Sequence, residues 1–155
     1  MPKRMVREAA GRALQRLLRR VLAGADEAIE CGDRAKLHAM RIAVKRLRYN
    51  TEFFRALLGA QGESATDILS RLQEHLGTIA DADAFELVYE ELLDCLDGDD
   101  PRAFGLESRR QATRTERERA LEALRSLWKD PEQRYRERLA ASISAAVGSL
   151  SPKPE

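Results

Sequence analysis

His38, Arg41, Lys45 and Arg48 recur at steps of three and four residues. On a helix that spacing stacks side chains on one face. At about 100° per residue, with His38 at zero, Arg41, Lys45 and Arg48 fall at about −60°, −20° and −80°. Arg46 lies off this stripe at about +80°. Arginine forks bind phosphate oxygens bidentately, lysine adds a point charge, and a protonated histidine adds two N–H donors. The row is ten residue rises long, roughly 15 Å. It can match successive negative charges on an extended polyanion. Glu52 is the one acid on the same side, so a solvated basic face neutralised by Glu52 is the competing reading.

Other cations repeat the spacing. Arg12, Arg16 and Arg19 share a side of the first helical stretch, and Arg110, Arg114 and Arg117 share one further on, with Arg109 adjacent. They are candidate additional anion-binding residues. Glu116 and Glu118 are close enough to compensate some of them. No catalytic set stands out. Cys31 and Cys95 have no histidine-bearing basic motif beside them that would make a nucleophile, and they read as buried thiols. His75, Asp81 and Asp83 are conceivable metal ligands, but their place at an expected helix break favours capping and packing. The expectation is therefore a non-catalytic chain with no metal and no cofactor. Trp128 reads as core or interface rather than as a stacking platform.

These residues need helices to position them. Leu14, Leu17, Leu18, Val21, Leu22, Ala25 and Ile29 are helically spaced, predicting a helix over 4–30. Gly32 suits a C-cap and Asp33 the next N-cap. A second helix is expected to run to about Leu58 and stop near Gly59 to Gly62. Its apolar side would be Met40, Ala43, Val44, Leu47, Phe54 and Leu58. Ile42, Tyr49 and Phe53 lie on a third side, suggesting neighbours on two sides. Ser64 and Asp67 resemble a capping box opening a third helix that ends at Gly77. A fourth helix, capped near Asp81, would bury Phe85, Leu87, Val88, Leu92 and Leu96. Asp100-Pro101 opens a fifth, ending near Trp128, and Asp130-Pro131 a short sixth over 131–147. The tail 151–155 is expected to be disordered. The fold class is all-α: an antiparallel up-and-down bundle of four to six helices over 1–150.

Composition agrees. The 155 residues are 43% hydrophobic and 34% charged, with 9 Gly and 5 Pro. Abundant Ala, Leu, Arg and Glu favour helix. No apolar run approaches the ~20 residues that span a bilayer, and the basic N-terminus has no apolar core of a secretory signal. The net charge of +1 hides segregation: residues 1–60 carry 14 basic and 6 acidic groups, 61–100 carry 1 and 12, and 101–155 carry 12 and 8. A folded chain of this kind can attract a polyanion despite its near-zero total.

The motif His38-x-x-Arg41-x-x-x-Lys45-Arg46-x-Arg48 resembles the signature of the CHAD domain, the conserved histidine α-helical domain. Leu72-Gln73-Glu74-His75-Leu76-Gly77, with Asp81 four residues on, is similar to that family's weaker second motif. The resemblance implies an all-α domain that binds inorganic polyphosphate through basic helix faces. The family's ligand-binding positions then fall on His38, Arg41, Lys45, Arg46 and Arg48. It also implies a cytoplasmic protein associated with polyphosphate granules. Family members typically carry two copies of the helical unit; one copy is found here, closest to the C-terminal one. The expectation is a half-length member, or the half of a longer protein, whose partner is a second copy or another CHAD-like half. Nucleic acid is the weaker polyanion candidate, because aromatics placed for base stacking are scarce. A helical docking or oligomerisation module is the remaining alternative, and no membrane role is expected.

Overall fold

The computed structural model describes residues 3–150 apart from residue 133. Among these residues there are five helices and no strand: α1 (Lys3–Cys31), α2 (Arg34–Phe53), α3 (Arg55–Asp94), α4 (Pro101–Lys129) and α5 (Tyr135–Gly148). This is the all-α antiparallel bundle expected from the sequence. The expected disorder of 151–155 lies outside the described residues. No described helix is long and apolar enough to cross a membrane.

The core follows the helical periodicity. α1 contributes Leu14, Leu18, Val21, Ala25 and Ile29, α2 contributes Leu37, Met40, Val44 and Leu47, and α3 contributes Leu58, Ile68, Leu69, Leu72, Leu76 and Ile79. Each such Leu or Ile gains about 1.5–3 kcal/mol from leaving water. The α1–α2 link works as the sequence suggests. Gly32 has φ 65° and its N–H donates to the Ala28 carbonyl at 3.0 Å. Asp33 caps α2 by accepting from the Lys36 N–H at 2.9 Å.

α3 kinks at Gly59 (φ 60°, ψ −150°), a region of backbone space open essentially only to glycine. The expected stop near Gly59 is thus a kink. Regular α2 ends earlier than Leu58, at Phe53, with Phe54 as its C-cap.

Two expected breaks are absent. Ser64 does not open a helix; it lies within α3, with Oγ 3.3 Å from Ser142 Oγ. Helix also continues through Gly77 to Asp81, merging the expected third and fourth helices. A glycine inside a helix costs about 1 kcal/mol. Continuous burial of Leu72, Leu76, Ile79 and Ala82 on the same face outweighs that. The distal part of α3 differs from expectation too. Phe85, Leu87, Val88 and Leu92 are all exposed, Phe85 by 56%, with Leu87 facing the groove toward α2. Cys31 and Cys95 are also exposed rather than buried; both sit at helix C-termini, at the edge of the packed region.

The last helix starts at Tyr135, not at 131. The Asp130 carboxylate accepts from the Glu132 N–H at 2.6 Å, and Arg134 is left-handed with φ 45°. α5 packs back on its own bundle through Tyr135, Leu139, Ile143 and Ala146. Arg71 donates to the Tyr135 hydroxyl at 3.1 Å. Trp128 is buried and its Nε1–H donates to Asp26 at 2.7 Å.

Candidate anion-binding face

α2 buries Leu37, Met40, Val44, Leu47 and Thr51, so its cationic stripe lies on the flank that borders α3 and on the open face. His38 sits at the mouth of a groove of about 490 Å³ between α2 and α3, with Leu37, Leu76, Ile79 and Leu87 in its walls. Lys45 and Arg46 are exposed, and Arg41 and Arg48 are half-buried. The carbonyl of Arg46 accepts from the Asn50 side chain at 2.9 Å, on the side of α2 that faces α1.

The expectation that Ile42, Tyr49 and Phe53 meet a neighbour is not met. They stand exposed, Phe53 by 81%, because α1 and α3 flank α2 on its buried sides only. Tyr49 instead carries cations: the Arg48 guanidinium lies 5.3 Å from the ring centroid and the Lys45 ammonium 5.6 Å. Such contacts at exposed sites contribute about 0.5–1 kcal/mol and hold both side chains along the helix surface.

The stripe is sparsely compensated. Arg48 Nε is 3.4 Å from Glu52 Oε1, a part-exposed i,i+4 pair of roughly 0.3–0.5 kcal/mol. Among the described residues no ion pair joins His38, Arg41, Lys45 or Arg46 to a carboxylate. Arg41 Nε and Arg48 Nε are buried without a hydrogen-bond partner, as is Gln73 Oε1 on α3. An unmet buried donor costs about 1–3 kcal/mol.

The arginines of α4 are ion-paired, although Arg110 Nε too is buried without a hydrogen-bond partner. Arg110 pairs with Glu90 at 2.5 Å, Arg114 with Glu86 at 2.6 Å, and Arg117 with Asp83 at 2.6 Å. Glu86 holds the Arg114 guanidinium above its ordinary pKa, mainly through their hydrogen bond. The three pairs are equidistant from Asp100, the cap at the start of α4, as rungs of an antiparallel hairpin must be. Arg34 adds to the ladder at 3.2 Å from Asp83 and 3.6 Å from Glu86. Arg117 also donates to the Gly32 carbonyl at 2.9 Å. Arg125 donates to the carbonyls of Ile29 and Glu30 at 3.0 and 2.9 Å, where α1 ends and carbonyls lack helical partners. The positive charge of this α4 face is therefore met within the chain.

On α1, Arg12, Arg16 and Arg19 are exposed. Arg12 stands 4.0 Å from Glu8, while Arg16 and Arg19 line a groove toward α2. The structure thus keeps His38, Arg41, Lys45 and Arg48 together and places the α1 and α4 arginines elsewhere. Asp83 is buried in the ladder, and His75 lies in a separate groove between α3 and α4 with Arg71 and Arg119. Among the described residues no three His, Cys, Asp or Glu side chains gather as a metal-binding group. The inference from sequence did not include Arg34, Arg125 and Gln73. The ladder was legible in principle, because acids at 83, 86 and 90 mirror arginines at 117, 114 and 110.

Comparison with protein families adds one finding. The family model described as the CHAD domain matches residues 2–89, a span that takes in α1, α2 and most of α3. No curated protein and no solved structure matches the chain.

Proposed function

The chain belongs to the CHAD domain family, and from that premise we propose that it binds inorganic polyphosphate, without catalysis, along the α2 stripe. The observation that carries this reading is the contrast between two basic faces. Arg110, Arg114 and Arg117 are neutralised by α3 carboxylates, whereas Glu52 is the one acid paired to the stripe among the described residues. Arg41, Lys45 and Arg48 bind phosphate oxygens, His38 contributes when protonated, and Arg46, beyond the Tyr49 ridge, adds positive potential without direct contact. The terminal guanidinium N–H groups of Arg41 and Arg48 are the donors for phosphate oxygens. The reading places the protein in the cytoplasm, on polyphosphate granules.

A titration with long-chain polyphosphate at 50 and 200 mM salt, beside duplex DNA of equal charge, tests it. Three permanent cations on a flexible polyanion weaken binding roughly 20-fold over that interval. Replacing Arg41, Lys45 and Arg48 together with Ala removes binding at the stripe while leaving helicity intact. Equal affinity for DNA, or affinity indifferent to salt, refutes the assignment.

A second reading, a docking module, is favoured by one observation. Phe85, Val88 and Leu92 form an exposed apolar face on α3, and Phe104 of α4 is 84% exposed. We propose that a second copy of the chain, or another CHAD-like half, covers this face. Light scattering decides: a monomer that still binds polyphosphate tightly removes the dimer from the reading.

A further inference from the structure

We propose that the groove between α1 and α2 is a second anion site, taking a short run of phosphate groups and filled independently of the α2 stripe. The proposal deepens the polyphosphate reading and rests on it. The groove encloses about 590 Å³ and is lined by Arg16, Arg19, Arg20 and Asn50 over a floor of Ala13 and Leu17. None of the three arginines is ion-paired to a carboxylate among the described residues. Asn50 gives one amide N–H to the Arg46 carbonyl and keeps its second N–H for a ligand. Four donor side chains thus converge on one concave surface.

Carboxylates bound the groove at both ends. Toward the N-terminus it continues past Arg12 to Glu8, which Arg4 engages at 2.9 Å. In the other direction Arg20 also borders a groove containing Glu27 and Lys36, which are paired to each other. The cationic stretch from Arg16 to Arg20 spans four residue rises, roughly 6 Å. A short oligophosphate or one end of a chain fits such a stretch, whereas a long anion running through it meets Glu8 or Glu27. The exposed ridge of Ile42, Tyr49 and Phe53 separates this groove from the flank that carries Arg41 and Arg48. The two sites therefore fill independently.

Calorimetric titration with tripolyphosphate tests the proposal on the full chain. The parent should take two equivalents. The Arg16→Gln/Arg19→Gln/Arg20→Gln variant and the Arg41→Ala/Lys45→Ala/Arg48→Ala variant should each take one. Circular dichroism checks that both remain helical. If the first variant loses helicity, the single Arg20→Glu change replaces it and should weaken one of the two sites at least tenfold. A groove variant that titrates like the parent overturns the second site. So does a parent with a single site that only the stripe variant removes, although the proposed function then stands. A single site removed only by the groove variant supports the groove and refutes the stripe. A parent that takes up no tripolyphosphate ends both proposals.

Discussion

Arg117→Ala should destabilise the fold strongly and leave polyphosphate affinity alone. The Arg117 side chain is 14% exposed and its partner Asp83 9%. Removing one member of a buried, hydrogen-bonded ion pair costs about 3–5 kcal/mol, because the other charge stays buried without its partner. Arg34 remains 3.2 Å from Asp83 but is 45% exposed, so it offsets only part of that loss. The Gly32 carbonyl also loses its donor. The net loss is about 2–3 kcal/mol by that reasoning, which lowers Tm by roughly 5–10 °C in a chain of this size. Arg114→Ala is the control. Arg114 is 41% exposed, and its removal costs at most about 1 kcal/mol. Urea unfolding of both variants, of Asp83→Ala and of Arg117→Ala/Asp83→Ala closes a double-mutant cycle. Polyphosphate titration, well below the melting temperature, is run beside it. Equal destabilisation by Arg117→Ala and Arg114→Ala would refute the burial argument. A loss of polyphosphate affinity in Arg117→Ala matching that of the α2 triple variant would refute the division between a clamping and a binding face.

Gly32→Ala should cost about 1–2 kcal/mol from its positive φ alone, and more because the new Cβ would lie 2.7 Å from Leu121 Cδ2; the urea midpoint reads this. The Arg102 side chain and backbone hold the Asp100 carboxyl at about 2, below the ordinary 3.8. A depressed carboxyl contributes stability that is complete above its unfolded pKa and lost as pH falls through the folded one. Thermal melts from pH 5 to pH 2 should therefore fall less steeply for Asp100→Asn between about pH 4 and pH 2. The Arg41→Ala/Lys45→Ala/Arg48→Ala variant should melt within a few degrees of the parent, since Lys45 is exposed and the described ion pairs lost with it reduce to Arg48–Glu52. A drop like that of Arg117→Ala would make the stripe a structural element.

The sequence by itself determined the helices, the α1–α2 link and the alignment of His38, Arg41, Lys45 and Arg48, because these depend on contacts within three or four residues. Gly32, Asp33, Asp100 and Pro101 act locally, and their roles were readable from type and position. Tertiary structure decided the rest. Gly77 and Asp81 look like a break, yet burial against neighbouring helices carries α3 straight through. Phe85, Val88 and Leu92 have core-like spacing, yet they extend past the elements that could cover them. The fate of each arginine was decided at the same level. Arg41 and Arg117 are the same residue on similar helices, and only the fold sets α3 carboxylates against one and leaves the other without an acidic partner. Local spacing fixes which side chains share a face; what that face meets depends on partners up to dozens of residues away.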